Sequence, residues 1–162
     1  MNKIKLMVFV AALFIGFTAL TACSAENAPK SVMSGKAADF TLQDINGKEI
    51  NLYNTLKGKN AVLVFWTTWC PYCVQEIPDI EKFYNENKEK TAVLSINLRE
   101  SKEKVASFIK RTNMTYPVLL DTDGKIGELY GVRGIPTVIA VGKGKNVLYY
   151  GHSIQEAQQS LK

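Results

Sequence analysis

Residues 61–78 constrain the fold of this chain more than any other stretch. Ala61-Val62-Leu63-Val64-Phe65-Trp66 is a continuous apolar run, the pattern of a central strand covered on both faces. Two cysteines follow closely, Cys70 and Cys73, separated by Pro71-Tyr72. From Pro71 onward, Val74, Ile77, Ile80 and Tyr84 keep a helical period with one mainly apolar face. Proline suits the first turn of a helix, where its missing N–H costs nothing. Pro78 falls inside the same helix and is expected to kink it.

The flanking sequence supplies partners for that strand and helix. Phe40-Thr41-Leu42 alternates, Asp44-Ile45-Asn46-Gly47 is turn chemistry, and Glu49 to Leu52 resumes the alternation, which predicts an N-terminal β-hairpin. Leu52 to Leu56 predicts a single helical turn ended by Gly58. Thr91 to Leu98 is a second apolar strand, and Glu100-Ser101-Lys102-Glu103 opens a charged helix with Val105, Phe108 and Ile109 inward. A short strand at 116–120, a brief helix ending at Gly131, a hairpin pairing 137–141 with 146–150, and a terminal helix capped by Ser153 complete the chain. Strands alternating with helices predict an α/β sandwich built on one central mixed sheet.

The 162 residues suffice for a single domain with a full core. The composition, 46% hydrophobic and 22% charged, is that of an ordinary globular protein. Lys3 and Lys5 precede an apolar stretch, Leu6 to Leu20, followed by small residues, so 1–22 reads as a signal peptide. The alternatives are an uncleaved membrane anchor and a buried core helix. Without residues 1–22 the chain keeps 18 basic and 15 acidic residues, a net charge of +3. No dense basic stripe with interleaved aromatics is present, which argues against nucleic-acid binding. Residues 23–36 are small and polar and read as a flexible tether, leaving 37–162 as the folded domain.

Leu20-Thr21-Ala22-Cys23 resembles the bacterial lipoprotein signal. The resemblance implies that Cys23 becomes a lipid-bearing N-terminus and that the domain sits in the bacterial cell envelope, outside the cytoplasmic membrane. It also accounts for the odd third cysteine, leaving Cys70 and Cys73 for each other.

A C-x-x-C pair between a strand and a helix reads as a redox motif. Cys70, at the expected helix N-terminus, is placed where unpaired N–H groups favour a thiolate; as the more exposed of the two it is the expected nucleophile. Cys73, about one turn on, can reach back to resolve a mixed disulfide. The alternatives are a permanent stabilising disulfide, whose small loop would constrain little of the unfolded chain, and a zinc site. Zinc needs two further ligands, yet the single histidine is His152 and the remaining cysteine is in the leader; no metal is expected. Glu76, three residues beyond Cys73, shares its helical face, and burial there would raise its pKa and suit it to proton transfer. The alternative is a surface glutamate. Trp66 and Trp69 are expected to pack, Trp69 also lining a groove beside Cys70. His152 is expected at the surface, with no role.

Four segments carry a wider likeness: Ala38-Asp39-Phe40-Thr41-Leu42 with Asn46-Gly47-Lys48; Phe65-Trp66 through Trp69-Cys70-Pro71-Tyr72-Cys73; Glu76-Ile77-Pro78; and Tyr130-Gly131-Val132-Arg133-Gly134-Ile135-Pro136-Thr137. Together they resemble the TlpA/ResA-like, membrane-tethered thiol–disulfide oxidoreductases of the thioredoxin superfamily. The resemblance implies a thioredoxin-like sandwich, with helices on both faces of the sheet and an N-terminal hairpin. It implies that Glu76 serves Cys73 in place of the strand acid of thioredoxin, whose position is Val64 here. It implies a cis bond at Pro136, packed against the cysteine pair and presenting Ile135 backbone groups to substrate, with Trp69, Pro71 and Tyr72 completing the contact surface. The dipeptide Pro71-Tyr72 is more typical of glutaredoxins.

The function implied is reduction of disulfides in exported proteins, with no cofactor beyond the two thiols. Candidate clients are apocytochrome c, cell-envelope proteins and an exported methionine sulfoxide reductase, and the expected source of electrons is a membrane thiol transporter of the CcdA/DsbD type. Two alternatives stand beside it. One is a peroxiredoxin-like peroxidase, suggested by Thr67-x-x-Cys70, although Leu63 stands where that family has proline. The other is a tethered binding module with a structural C-x-x-C.

Overall fold

The structure, a computed structural model, describes residues 35–162. The leader at 1–22, Cys23 and the tether as far as residue 34 lie outside the described residues.

The chain runs β1 (Thr41–Gln43), β2 (Glu49–Asn51), α1 (Leu52–Thr55), β3 (Asn60–Trp66), α2 (Pro71–Asn87), β4 (Thr91–Leu98), α3 (Lys102–Thr112), β5 (Val118–Asp121), α4 (Lys125–Leu129), β6 (Thr137–Val141), β7 (Val147–Gly151) and α5 (Ile154–Ser160). β1 and β2 form the N-terminal antiparallel hairpin. The other five strands make one mixed sheet in the order β5-β4-β3-β6-β7. β3, β4 and β5 are parallel, so α2 and α3 serve as crossovers, whereas β6 and β7 run antiparallel and need only a tight turn.

Burial on both faces explains the uninterrupted apolar run in β3, where every residue from Ala61 to Trp66 is buried. Val62, Val64 and Trp66 face one core with Ile77, Ile80 and Phe83 of α2, Val105 and Phe108 of α3, and Ile154 and Ala157 of α5. Ala61, Leu63 and Phe65 face the other core with Leu52 and Leu56 around α1, Tyr130 after α4, and Phe40. The expected sandwich, a mixed sheet with helices on both faces, is the observed fold.

Three boundaries differ from expectation, each for a local reason. β5 begins at Val118 rather than Tyr116, because Pro117 has no N–H to give to a ladder. β7 begins at Val147 rather than Asn146, because Asn146 instead bridges Lys36. Gly35 and Lys36, at the end of the segment read as tether, are part of the fold: Val147 N–H donates to Gly35 O at 3.0 Å and Ala37 N–H to Lys145 O at 2.8 Å. Among the described residues no helix is long and apolar enough to cross a membrane.

Candidate active site

The carboxyl end of β3 delivers Cys70 to the N-terminus of α2. Cys70 is the N-cap, in extended conformation, and its Sγ accepts from the Cys73 N–H at 3.1 Å. Pro71 occupies the first turn, where its missing N–H costs nothing. Cys70 and Cys73 are disulfide-bonded, with Cα atoms 5.3 Å apart. The loop before β6 closes over the pair: the Ile135–Pro136 peptide is cis, and the Ile135 carbonyl oxygen lies 3.7 Å from Cys70 Sγ.

The expectation that Cys70 is the more exposed thiol does not match the structure. Cys70 is 3% exposed and Cys73 4%. The Ile135 carbonyl lies against the sulfur of Cys70, while Cys73 is covered from the core side. What separates the two is therefore surroundings, with Cys70 at the helix cap beside the cis-proline loop and Cys73 in the wall of a closed cavity. Trp66 packs as expected, against Phe108 with ring centroids 5.4 Å apart. Trp69 does not pack in the core: it is 67% exposed, and Tyr72 is 71% exposed, so two large aromatics stand clear on either side of Cys70.

An open groove of about 500 Å³ runs beside the pair, lined by Tyr72, Gln75, Glu76, Asp79, Ile135, Pro136 and His152. His152 is exposed as expected, but it is not without contacts. Its Nδ1 lies 2.5 Å from the Pro136 carbonyl oxygen, so the ring ties the cis-proline loop to the end of β7. Nothing in the local sequence marks that contact, which joins the residue just before β6 to the residue just after β7.

Behind the disulfide is a closed cavity of about 10 Å³ lined by Val64, Trp66, Cys73, Glu76, Ile77, Ile80, Ser95, Tyr116 and Pro136. Glu76 is half-buried, and its Oε2 is fully enclosed with no hydrogen-bond partner in the protein. Burial pushes the Glu76 carboxyl above its ordinary range; the Ile154 N–H partly offsets this and the Asp79 charge adds to it. Glu76 thus borders both the closed cavity and the open groove.

Glu100 is the residue that sequence reasoning missed. It was legible only as the start of a charged helix, yet it is 8% exposed. Its carboxylate accepts from Thr68 N–H at 2.7 Å, Thr68 Oγ1 at 2.7 Å and Asn97 Nδ2 at 2.8 Å, and pairs with Lys104 Nζ at 2.7 Å. Burial opposes its charge, but these donors together outweigh burial and hold its pKa below the ordinary value. Thr68 lies two residues before Cys70, so Glu100 braces the turn that delivers the cysteine. Among the described residues no cluster of His, Cys, Asp and Glu is arranged to hold a metal ion.

Residues 33–150 match the AhpC/TSA family. Thiol-disulfide oxidoreductase ResA of Bacillus subtilis is 37% identical over 138 residues, covering 84% of this chain and 74% of that protein. The ResA of Geobacillus thermodenitrificans is 32% identical over 166 residues, covering 100% of this chain and 93% of that one. Among solved structures, a secreted Mycobacterium tuberculosis disulfide oxidoreductase homologous to Escherichia coli DsbE superposes with a TM-score of 0.63 at 28% identity. That match covers 70% of this chain and 83% of the other.

Proposed function

The chain belongs to the AhpC/TSA family and is a thiol–disulfide oxidoreductase of the thioredoxin fold; from that premise we propose that it reduces disulfides of exported proteins outside the cytoplasmic membrane, tethered by lipid on Cys23. In this reading Cys70 attacks the client disulfide and Cys73 resolves the mixed disulfide, with Glu76 taking the proton from Cys73. The observation that carries the assignment is the asymmetry of the pair. Cys70 caps α2 beside the cis-proline loop and the groove, where a thiolate is favoured by helix N–H groups and an extended client can lie against Ile135. Cys73 faces inward, where only Glu76 among the cavity-lining residues is a carboxylic acid.

Trp69, Pro71 and Tyr72 supply the exposed surface next to Cys70 and are assigned to client contact. The clients best suited to such chemistry are apocytochrome c, other envelope proteins and an exported methionine sulfoxide reductase. Re-reduction falls to a membrane thiol transporter of the CcdA/DsbD type, since an oxidising exterior would otherwise leave the pair closed. The test is a Cys73→Ser trap in the full chain. Exported clients should accumulate as mixed disulfides on Cys70, and an empty trap refutes the assignment. Peroxide consumption that survives Cys73→Ser but not Cys70→Ser would transfer it to the peroxidase reading.

The dipeptide Pro71-Tyr72 motivates a second expectation, a potential less reducing than that of thioredoxin, about −270 mV. Equilibration in glutathione buffers reads this directly, and a value at or below thioredoxin's would refute it.

A further inference from the structure

Cys70 follows the carboxyl end of β3, and lysines gather at the other end of the sheet, where β3 and β4 begin. Asn60 N–H, at the start of β3, donates to Lys90 O at 3.1 Å, and Lys59 Nζ donates to Lys88 O at 2.8 Å. The segment entering β3 thus meets the end of α2. Asn60 Oδ1 also accepts from Lys143 N–H at 3.0 Å, which brings in the turn between β6 and β7. The Lys145 carbonyl in that turn accepts from Ala37 N–H, and Lys36 bridges Asn146. With Lys57, three residues before Asn60, seven lysines from four segments of the chain come together there.

Lys36, Lys57, Lys88, Lys90 and Lys143 are exposed, and Lys59 and Lys145 are half-buried. Among the described residues the three ion pairs all lie elsewhere. Lys145 Nζ sits 3.7 Å from the centroid of the Tyr53 ring, a contact that holds the charge without neutralising it. The nearby acids are Glu89, Glu86 in the last turn of α2, and Asp39, whose carboxylate accepts from Tyr53 N–H. Seven lysines against three acids leave a net +4, more than the +3 of all the described residues together. The carboxyl ends of the strands carry the opposite sign, with Glu100 and Glu103 after β4 and Asp121 and Asp123 where β5 finishes. The exposed large apolar side chains, Trp69, Tyr72, Leu129, Leu148 and Tyr150, all fall outside the four segments. This end therefore offers charge without an apolar wedge for insertion, and without an exposed aromatic on which a nucleic-acid base would stack.

We propose that this lysine-rich end docks the domain on the anionic headgroups of a phospholipid surface; the inference rests on the placement beside a membrane proposed above. Two features favour lipid over a soluble anion. On that placement residues 23–34, twelve in number, separate a lipid on Cys23 from Gly35, a span of at most about 40 Å even when fully extended. The headgroups are then always within reach, and docking is effectively intramolecular. The second feature is the charge itself. Each lysine brought to an anionic bilayer contributes a factor of about five in binding, so the five exposed ones together suffice without insertion. The acids after β4 and β5 are repelled by the same surface, which leaves one favourable orientation. Contact made by charge alone is weakened by salt, and it needs no change in the fold.

The test reconstitutes the full chain in vesicles of phosphatidylcholine alone or of equimolar phosphatidylcholine and phosphatidylglycerol. Lysines are acetylated by a water-soluble reagent and read one by one by mass spectrometry. On the anionic vesicles Lys36, Lys57, Lys88, Lys90 and Lys143 should react at least about fivefold more slowly than on the neutral ones. Lys102 and Lys125, exposed near the carboxyl ends of β4 and β5, should react equally on both. About 0.5 M salt should abolish the protection by screening. Reversing Lys88→Glu, Lys90→Glu and Lys143→Glu together should restore full reactivity to Lys36 and Lys57, whereas Lys102→Glu should leave their protection intact. Equal reactivity on the two kinds of vesicle overturns the proposal, as does equal protection of every lysine, which is adhesion without orientation. Soluble polyphosphate or duplex DNA, added with neutral vesicles at the same phosphate concentration, should protect less than the anionic lipid. Protection as strong as the lipid's would reassign the surface to a soluble polyanion. Failure of the proposed function looks different: the Cys73→Ser trap would stay empty whether or not these lysines are protected.

Discussion

Glu76 has one carboxylate oxygen sealed behind the disulfide and stands in the wall of an open groove. This position has opposite consequences for stability and for chemistry. Its folded pKa is raised above 4.5, chiefly by burial. The native state therefore holds this proton more tightly than the unfolded chain does, and its contribution to stability falls as pH climbs from 4.5 through the raised value. Glu76→Gln removes that penalty. By urea denaturation it should be at least as stable as the parent at pH 7, and any advantage should vanish below pH 4.5. Resolution by Cys73 should meanwhile slow by about 10²-fold or more, as expected for loss of a positioned base. A variant that loses stability at pH 7 but keeps its resolution rate would contradict both halves. The proximity of Glu76 to Cys73 was legible from an i,i+3 spacing on one helix. The contact of His152 with Pro136 was not, because the two meet only through the antiparallel pairing of β6 and β7, which no local periodicity records.

At the scale of elements, the turn from β3 into α2 is held from outside by the carboxylate that precedes α3. Glu100 binds both the N–H and the hydroxyl of Thr68, and it also pairs with Lys104, whose side chain is more than half exposed. Glu100→Ala leaves Thr68 and Asn97 donors without their acceptor and should cost about 2–4 kcal/mol in chemical denaturation. Because its folded pKa is depressed, this stabilisation is present above pH 4.5 and is lost as pH falls through the lower folded value. Acid unfolding of the parent should steepen in that range, and the slope should flatten in the variant. The order and type of the elements were readable because each carries its own period and caps, Ser101 for α3 and Ser153 for α5 among them. Glu100 was unreadable because Thr68 follows β3 and Asn97 lies on β4, and only the parallel pairing of those strands brings the two together.

For the whole molecule, two cores share one sheet, and the second is closed by the chain's own N-terminal segment. Phe40 packs edge-on to Tyr130 with centroids 5.9 Å apart, Tyr130 packs on Phe65 at 5.7 Å, and the Tyr130 and Tyr53 hydroxyls donate to the Ala38 and Ala37 carbonyls. Segment 37–40 is thus a lid on the core rather than a leader to it. Phe40→Ala should cost about 3–5 kcal/mol, measured by urea denaturation. A change under 1 kcal/mol would show that the strap is dispensable.

The pairing of Gly35 with Val147 also sets a direction for the molecule. β6 starts at the cis-proline loop and ends at the turn before β7, and β7 returns to His152. The chain therefore enters the fold at the far end of this hairpin from Cys70, the length of a five-residue strand away, or about 17 Å. Gly35 therefore lies at the pole opposite the Cys70 sulfur. A surface holding the protein by that end would have the disulfide pointing outward, where the proposed function needs it.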